Sequence, residues 1–243
     1  MTEERTEVMG TVKGLKSFPV AKGLPCTTRE IQRVLQAPQI RKVICYALGP
    51  EGTNISQACG KWVAETGIVS KTTVELGKTP EKCLEMARLV TGEDEIALFW
   101  TCAVFYALKD LFFENPDVSP FFVSYAMLLD EMQLATRKDL QQEVVEGQIP
   151  EGWKIASHPS PAPLVGYLAD NRGCVVIKAN SNAEAASMCV SGKVEACITT
   201  EKSRQIYGVE TLHVFGSPVM IFFGGITGQG AGVIRRVYRT LAS

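Results

Sequence analysis

Histidine is nearly missing from this 243-residue chain: two occur, too few for a histidine-built metal centre. No two cysteines form a C-x-x-C pair. The eight present, at positions 26, 45, 59, 83, 102, 174, 189 and 197, are scattered, most within apolar runs. They read as reduced, mostly buried small hydrophobes of a cytosolic protein, not as a disulfide frame or a zinc site. Basic runs are absent and the net charge is −1, which argues against a nucleic-acid partner. No apolar stretch reaches membrane-spanning length, and the polar opening Met1-Thr-Glu-Glu-Arg5 is not followed by the apolar core of a signal peptide. A cytoplasmic protein with neither a nucleic-acid nor a membrane partner is expected.

What is there is ample apolar content, 46% hydrophobic against 21% charged, enough core for one large domain or two lobes of about a hundred residues each. The chain is organised around Val43-Ile-Cys-Tyr-Ala-Leu48, an apolar run that reads as a buried strand, broken by Gly49-Pro50 and Gly52. Thr53 or Asn54 can cap the helix that begins at Ile55. A strand, a tight turn and a helix start make a small anion receptor, because free N–H groups and the positive end of the helix dipole point beyond the strand. Taken alone the same pattern also describes an ordinary strand-to-helix junction.

Upstream, Thr27 and Glu30 stand at capping-box spacing ahead of an amphipathic helix. Downstream, 71–76 reads as a strand, Thr79-Pro80-Glu81 starts a helix with Cys83, Met86, Ala87 and Val90 on one face, and Glu95–Trp100 is a third strand. This β-α-β-α-β order implies a mostly parallel sheet. Paired strands are expected over 120–134, a polar helix over 138–146, strands at 153–156 and 174–178, and a helix over 182–190. A strand at 196–200, a helix over 201–207 stopped by Gly208, and strands at 210–215 and 219–223 complete the series. The glycine-dense stretch 224–232 reads as a flexible joint before a short basic helix carrying Arg235, Arg236 and Arg239, because no strand follows to complete a dinucleotide-binding unit. The second half repeats the first in kind, since 155–160 is again a strand running into a polar turn. Two such turns across a cleft suit a small dianion.

Three blocks then resemble a known family. Leu48-Gly-Pro-Glu-Gly-Thr53 is similar to the opening motif of the prephenate dehydratase catalytic domain, Ser157-His-Pro159 to its Ser-His-Pro turn, and the stretch from Ala183 through Gly192 and Ala196 to Tyr207-Gly208 to its later block. They keep the family's order and spacing over residues 43 to about 223. The resemblance implies an α/β fold of two lobes about a hinge, like type II periplasmic binding proteins, with the site between them. Its expected division is an N-terminal extension over 1–41, a first lobe of 42–102 plus 213–226, a second lobe of 103–212, and a C-terminal tail helix over 227–243. Only about twenty residues remain after the matched region, so the family's regulatory ACT domain is not expected.

The departures are as informative. Where the dehydratases carry Pro-X-Glu-Asn-Ser, this chain reads Phe99-Trp-Thr-Cys-Ala103, and their Asn-X-Thr-Arg-Phe block is replaced around Ser217–Phe222. The same losses occur in the non-aromatising prephenate decarboxylases of bacilysin- and anticapsin-type pathways, which the chain resembles more closely. The resemblance implies decarboxylation of prephenate to a dihydro-4-hydroxyphenylpyruvate in natural-product biosynthesis, with no metal or organic cofactor. By the same analogy the protein is a homodimer. Alternatives are a dehydratase using other residues and a non-catalytic binder of small acids.

Within that reading His158 is the first candidate for proton donor, because its pKa lies near working pH; a purely structural turn is the equal alternative. Glu51 could act as an acid or merely orient its turn. Thr53, Asn54 and Ser56, with Ser157 and Ser160, are expected to hold the substrate carboxylates. Thr199 and Thr200 could bind substrate or cap the next helix, and Arg204 could clamp a carboxylate. Thr101 and Cys102 stand in the lost carboxylate's place as pocket wall, Trp100 shapes that wall, and Tyr106 reaches the cleft or lies in the core.

Overall fold

The computed structural model describes residues 23–49 and 51–242. Of the expected N-terminal extension, 1–22 lies outside the described residues, as does Pro50 of the first turn. The remainder carries α1 (Thr28–Gln36), capped by Thr27, whose side chain accepts from the Glu30 N–H while the Glu30 carboxylate accepts from the Thr27 N–H. The chain continues as β1 (Lys42–Leu48), α2 (Asn54–Thr66), β2 (Thr72–Gly77), α3 (Pro80–Arg88), β3 (Glu95–Cys102), α4 (Leu108–Phe113) and β4 (Val118–Leu128). Then come β5 (Met132–Thr136), β6 (Lys154–Ser157), α5 (Gly166–Arg172), β7 (Val175–Lys178) and α6 (Asn182–Val190). The series ends with β8 (Ala196–Thr200), α7 (Glu201–Tyr207), β9 (Glu210–Gly216), β10 (Val219–Thr227) and α8 (Gly228–Ala242).

These strands form two five-stranded sheets, ordered β2-β1-β3-β10-β4 and β7-β6-β8-β5-β9. Each has three parallel strands, then one antiparallel strand and an outer strand. The parallel centre explains the continuous apolar runs: Val43–Ala47 and Ile96–Thr101 are buried throughout, as strands covered on both faces must be. On the first sheet, Trp62, Trp100, Phe222, Ile226 and Ile234 pack on the side of α1, α2 and α8, while Cys83, Leu84, Phe99 and Leu111 pack under α3 and α4. The second sheet has its own two clusters, around Trp153, Ile155 and Ile198 and around Ala185, Ala186 and Cys197. The result is the expected two-lobed α/β architecture.

The chain passes between sheets at 129–131 and 217–218, and the Leu129 N–H donates to the Pro218 carbonyl at 2.9 Å, tying the crossings together. This moves the expected lobe boundary. β4 hydrogen-bonds to β10, so residues up to Leu128 belong with the first sheet, and β9 belongs with the second. For the same reason β4 and β5 are not a hairpin; each pairs within a different sheet.

Two further expectations fail. The polar helix over 138–146 is reduced to a 3-10 turn at Gln141–Glu143. The glycine run is not a flexible joint: β10 continues to Thr227 and α8 starts directly, with Gly230, Ala231, Val233, Ile234 and Val237 buried. Its glycines make room. A Cβ on Gly225 would stand 2.2 Å from the Phe99 ring, and one on Gly224 would stand 2.5 Å from the Val123 side chain.

Candidate functional site

In a doubly wound sheet, ligands gather beyond the carboxyl ends of the parallel strands, where the strand order reverses. Here β1 and β3 end in the turns at 49–53 and 103–107, while β6, β7 and β8 end at Ser157, Lys178 and Thr200. Three close approaches bring these two sets of ends together. Ser160 Oγ donates to the Val104 carbonyl at 3.0 Å. Lys178 Nζ stands 6.0 Å from the centroid of the Tyr106 ring. Lys202 Nζ, in the first turn of α7, lies 3.2 Å from where a Cβ would sit on Gly52. The strand ends of the second lobe thus face the turns after β1 and β3 of the first, and the space between them is the candidate interlobe cleft.

The first turn is shaped by its own hydroxyls. Thr53 Oγ1 donates to the Leu48 carbonyl at 2.6 Å and accepts from the Ser56 N–H at 3.3 Å, as the N-cap of α2. Ser56 Oγ donates to the Thr53 carbonyl at 3.0 Å. Both side chains hold the turn rather than reach out from it. Gly52 has φ +87°, a left-handed conformation that favours glycine. Asn54 is half-buried at the helix start and Glu51 is exposed on the rim.

The second turn fixes an imidazole. Ser157 is buried and its Oγ donates to the His158 carbonyl at 2.8 Å. His158 Nδ1 accepts from the Ser160 N–H at 3.2 Å, so the neutral ring carries its proton on Nε2. Burial, and next the positive charge of Lys178, push its pKa below the usual histidine value. Protonating Nδ1 would also break the Ser160 bond. His158 is thus a neutral donor through Nε2–H more readily than an imidazolium acid.

The third expected contributor is structural. Thr199 is fully buried and donates to the Asn182 carbonyl at 3.0 Å, and Thr200 caps α7 by accepting from the Ser203 N–H at 3.4 Å. The next α7 donors are also taken: the Glu201 N–H by the Glu131 carbonyl at 2.8 Å, and the Lys202 N–H by Asp130 Oδ2 at 2.9 Å. Arg204 is not a free clamp. It donates twice to the Glu201 carboxylate, at 2.6 and 2.8 Å, and once to the Val209 carbonyl at 3.3 Å. The Arg204 guanidinium, with Gln205 and Gln133, holds the Glu201 carboxyl down at about 2.

At the end of β3, Thr101 is fully buried and its hydroxyl meets no hydrogen-bonding partner; the same holds for Trp100 Nε1. Cys102 is half-buried, its thiol pushed up by burial, with the N–H groups of Val104 and Phe105 pulling it part of the way back. Trp100 stacks at a tilt on Trp62, ring centroids 5.2 Å apart, and is core rather than lining. Tyr106 is exposed, against Lys178. Sequence reasoning missed Lys178 and Lys202. The available signal was position, the last residue of one strand and the first turn after another.

Two depressions elsewhere on the first lobe, about 250 Å³ beside Trp62, Glu65 and Tyr125 and about 360 Å³ beside Glu85, Arg88 and Asp110, contain none of the predicted site residues. Among the described residues no group of three or more His, Cys, Asp or Glu could hold a metal ion, and no helix is long and apolar enough to cross a membrane.

No protein-family model matches the chain, and no curated protein matches it. Solved structures do. The periplasmic VFT2 domain of Bordetella pertussis BvgS is 15% identical over 90% of this chain and 94% of that one, with a TM-score of 0.52. An R. palustris protein solved with adipate is 11% identical over 83% of this chain and 82% of its own, with a TM-score of 0.51. The prephenate dehydratase of Staphylococcus aureus is 14% identical over 75% of this chain and 65% of its own, with a TM-score of 0.42. The chain shares the two-lobed α/β fold of the first two of these proteins.

Proposed function

We propose that this protein binds prephenate in its interlobe cleft and decarboxylates it without aromatising the ring. The observation that supports this is that each motif turn approaches the opposite lobe at a parallel-strand end, 157–160 through the Ser160–Val104 contact and 49–56 through Lys202 beside Gly52. Prephenate brings two carboxylates, one on a quaternary ring carbon flanked by alkenes and one on a pyruvyl side chain. A fold in which the R. palustris protein was solved with adipate, also a dicarboxylate, suits that charge and size.

Loss of carbon dioxide breaks the bond to the quaternary carbon and releases an electron pair. If the ring hydroxyl leaves with it, phenylpyruvate forms, but that departure needs an acid at the hydroxyl. The segment 99–103 supplies none: it has no carboxylic acid, Thr101 is buried, and the Cys102 thiol is a weakened acid. The pair instead runs through one ring alkene to its far carbon, which takes a proton from water. The hydroxyl stays, and the product is a dihydro-4-hydroxyphenylpyruvate. His158 positions the substrate through Nε2–H, the start of α2 receives a carboxylate, and Glu51 orients the rim.

Incubating the purified protein with prephenate tests this. Carbon dioxide release without phenylpyruvate absorbance is expected. Phenylpyruvate would mean a dehydratase, and ligand-induced stabilisation without consumption would mean a binding protein; either overturns the proposal.

A further inference from the structure

Two ammonium groups of the second lobe meet the first lobe across the cleft without a carboxylate of their own. Lys178 ends β7 and Lys202 lies in the first turn of α7; both are exposed, and neither joins an ion pair among the described residues. The nearby acids are engaged elsewhere. Asp130 accepts from the backbone N–H groups of Lys202 at 2.9 Å and Glu131 at 3.1 Å, not from an ammonium. Glu201 is held by Arg204, Gln205 and Gln133, and Glu131 accepts from Gln133 at 2.7 Å. Glu51 adjoins Gly52 but forms no ion pair with Lys202. On the Lys178 side the groups at hand are the Tyr106 ring and the neutral His158. Each ammonium thus faces a first-lobe turn without a countercharge, and uncompensated positive charge raises the local potential and attracts an anion.

We infer that Lys178 and Lys202 are specificity-determining residues of this cleft, each taking one carboxylate of the ligand and so selecting dicarboxylates over monocarboxylates. Lys202 reaches the turn that precedes α2, and Lys178 reaches the turn that follows β3, so the two charges address different ends of a bound molecule. A Cβ on Gly52 would crowd the Lys202 head at 3.2 Å. The inference rests on the cleft being the ligand site but not on the decarboxylation.

Calorimetric titration with prephenate, adipate and the monocarboxylate 4-hydroxyphenylpyruvate tests it, using Lys178→Gln, Lys202→Gln, Lys202→Arg and the remote control Lys61→Gln. Each glutamine variant should weaken dicarboxylate binding by about 10- to 100-fold, the size of a lost charge-assisted hydrogen bond, and monocarboxylate binding by less than about 3-fold. Lys202→Arg and Lys61→Gln should stay within about 3-fold of the parent. Unchanged dicarboxylate affinity in both glutamine variants, or equal loss for all three ligands, overturns the assignment. If the parent binds dicarboxylates but never consumes prephenate, the decarboxylase reading fails while the lysines are judged on affinity as before. If the parent binds neither dicarboxylate, both fail.

Discussion

Two alanine substitutions in one glycine run should act in opposite directions. At Gly225, in β10, a new Cβ would stand 2.2, 2.6 and 2.8 Å from three atoms of the Phe99 ring, which is wholly buried under α3 and α4. The ring cannot swing into solvent, so Gly225→Ala forces the two strands apart or the ring off its rotamer. That overpacking costs about 1–3 kcal/mol. At Gly232, inside α8, no heavy atom beyond its chain neighbours and the helix's own backbone lies within 4 Å of the new Cβ. Gly232→Ala should therefore stabilise by about 0.5–1 kcal/mol through helix propensity and reduced freedom of the unfolded chain. A chain of this length shifts its melting temperature by about 2–4 °C per kcal/mol. Thermal unfolding should show Gly225→Ala falling by several degrees and Gly232→Ala rising slightly. Two neutral substitutions would refute the reasoning, because that is how a flexible joint behaves.

Removing the cap in Thr53→Ala should cost about 1 kcal/mol and, on the proposed function, also impair prephenate binding; urea melts and titration measure the two effects. Arg204→Met should lower stability while leaving KM within about 3-fold, which separates a structural ion pair from a substrate clamp. The sign with pH follows from Glu201, whose pKa is depressed to about 2 from 4.5: its contribution is full above 4.5 and lost as pH falls towards 2, so the stability deficit of the variant should shrink over that window. His158 behaves differently. Its folded pKa is below 6.5, so the unfolded chain takes the proton first and stability falls as pH drops below 6.5; His158→Asn should flatten that part of the stability profile.

Local chemistry made much of the fold legible. The capping pairs at Thr27/Glu30 and Thr79/Pro80, the doubly buried strands, and the left-handed stop at Gly208 are each written within a few residues. What stayed hidden depends on distant partners. Nothing local separates β4 from β5, a mostly apolar stretch whose only charges are Asp130 and Glu131, because the change of sheet is decided by β10 and β8. Glycine beside a buried aromatic and glycine in a loose linker have the same composition, so Gly224 and Gly225 could not be sorted without Val123 and Phe99. In the candidate site, the two turns were readable from motif and cap. Arg204 has its i,i+3 partner Glu201 beside it in the sequence, whereas nothing local distinguishes the two lysines from solvated surface charge.

The most direct test of non-aromatising decarboxylation is to run the reaction in D2O and follow ring-labelled prephenate by carbon and proton NMR. The proposed chemistry predicts loss of the ring carboxylate, a retained carbinol carbon and one new sp3 ring carbon bearing deuterium. A five-proton aromatic ring with no carbinol would contradict it.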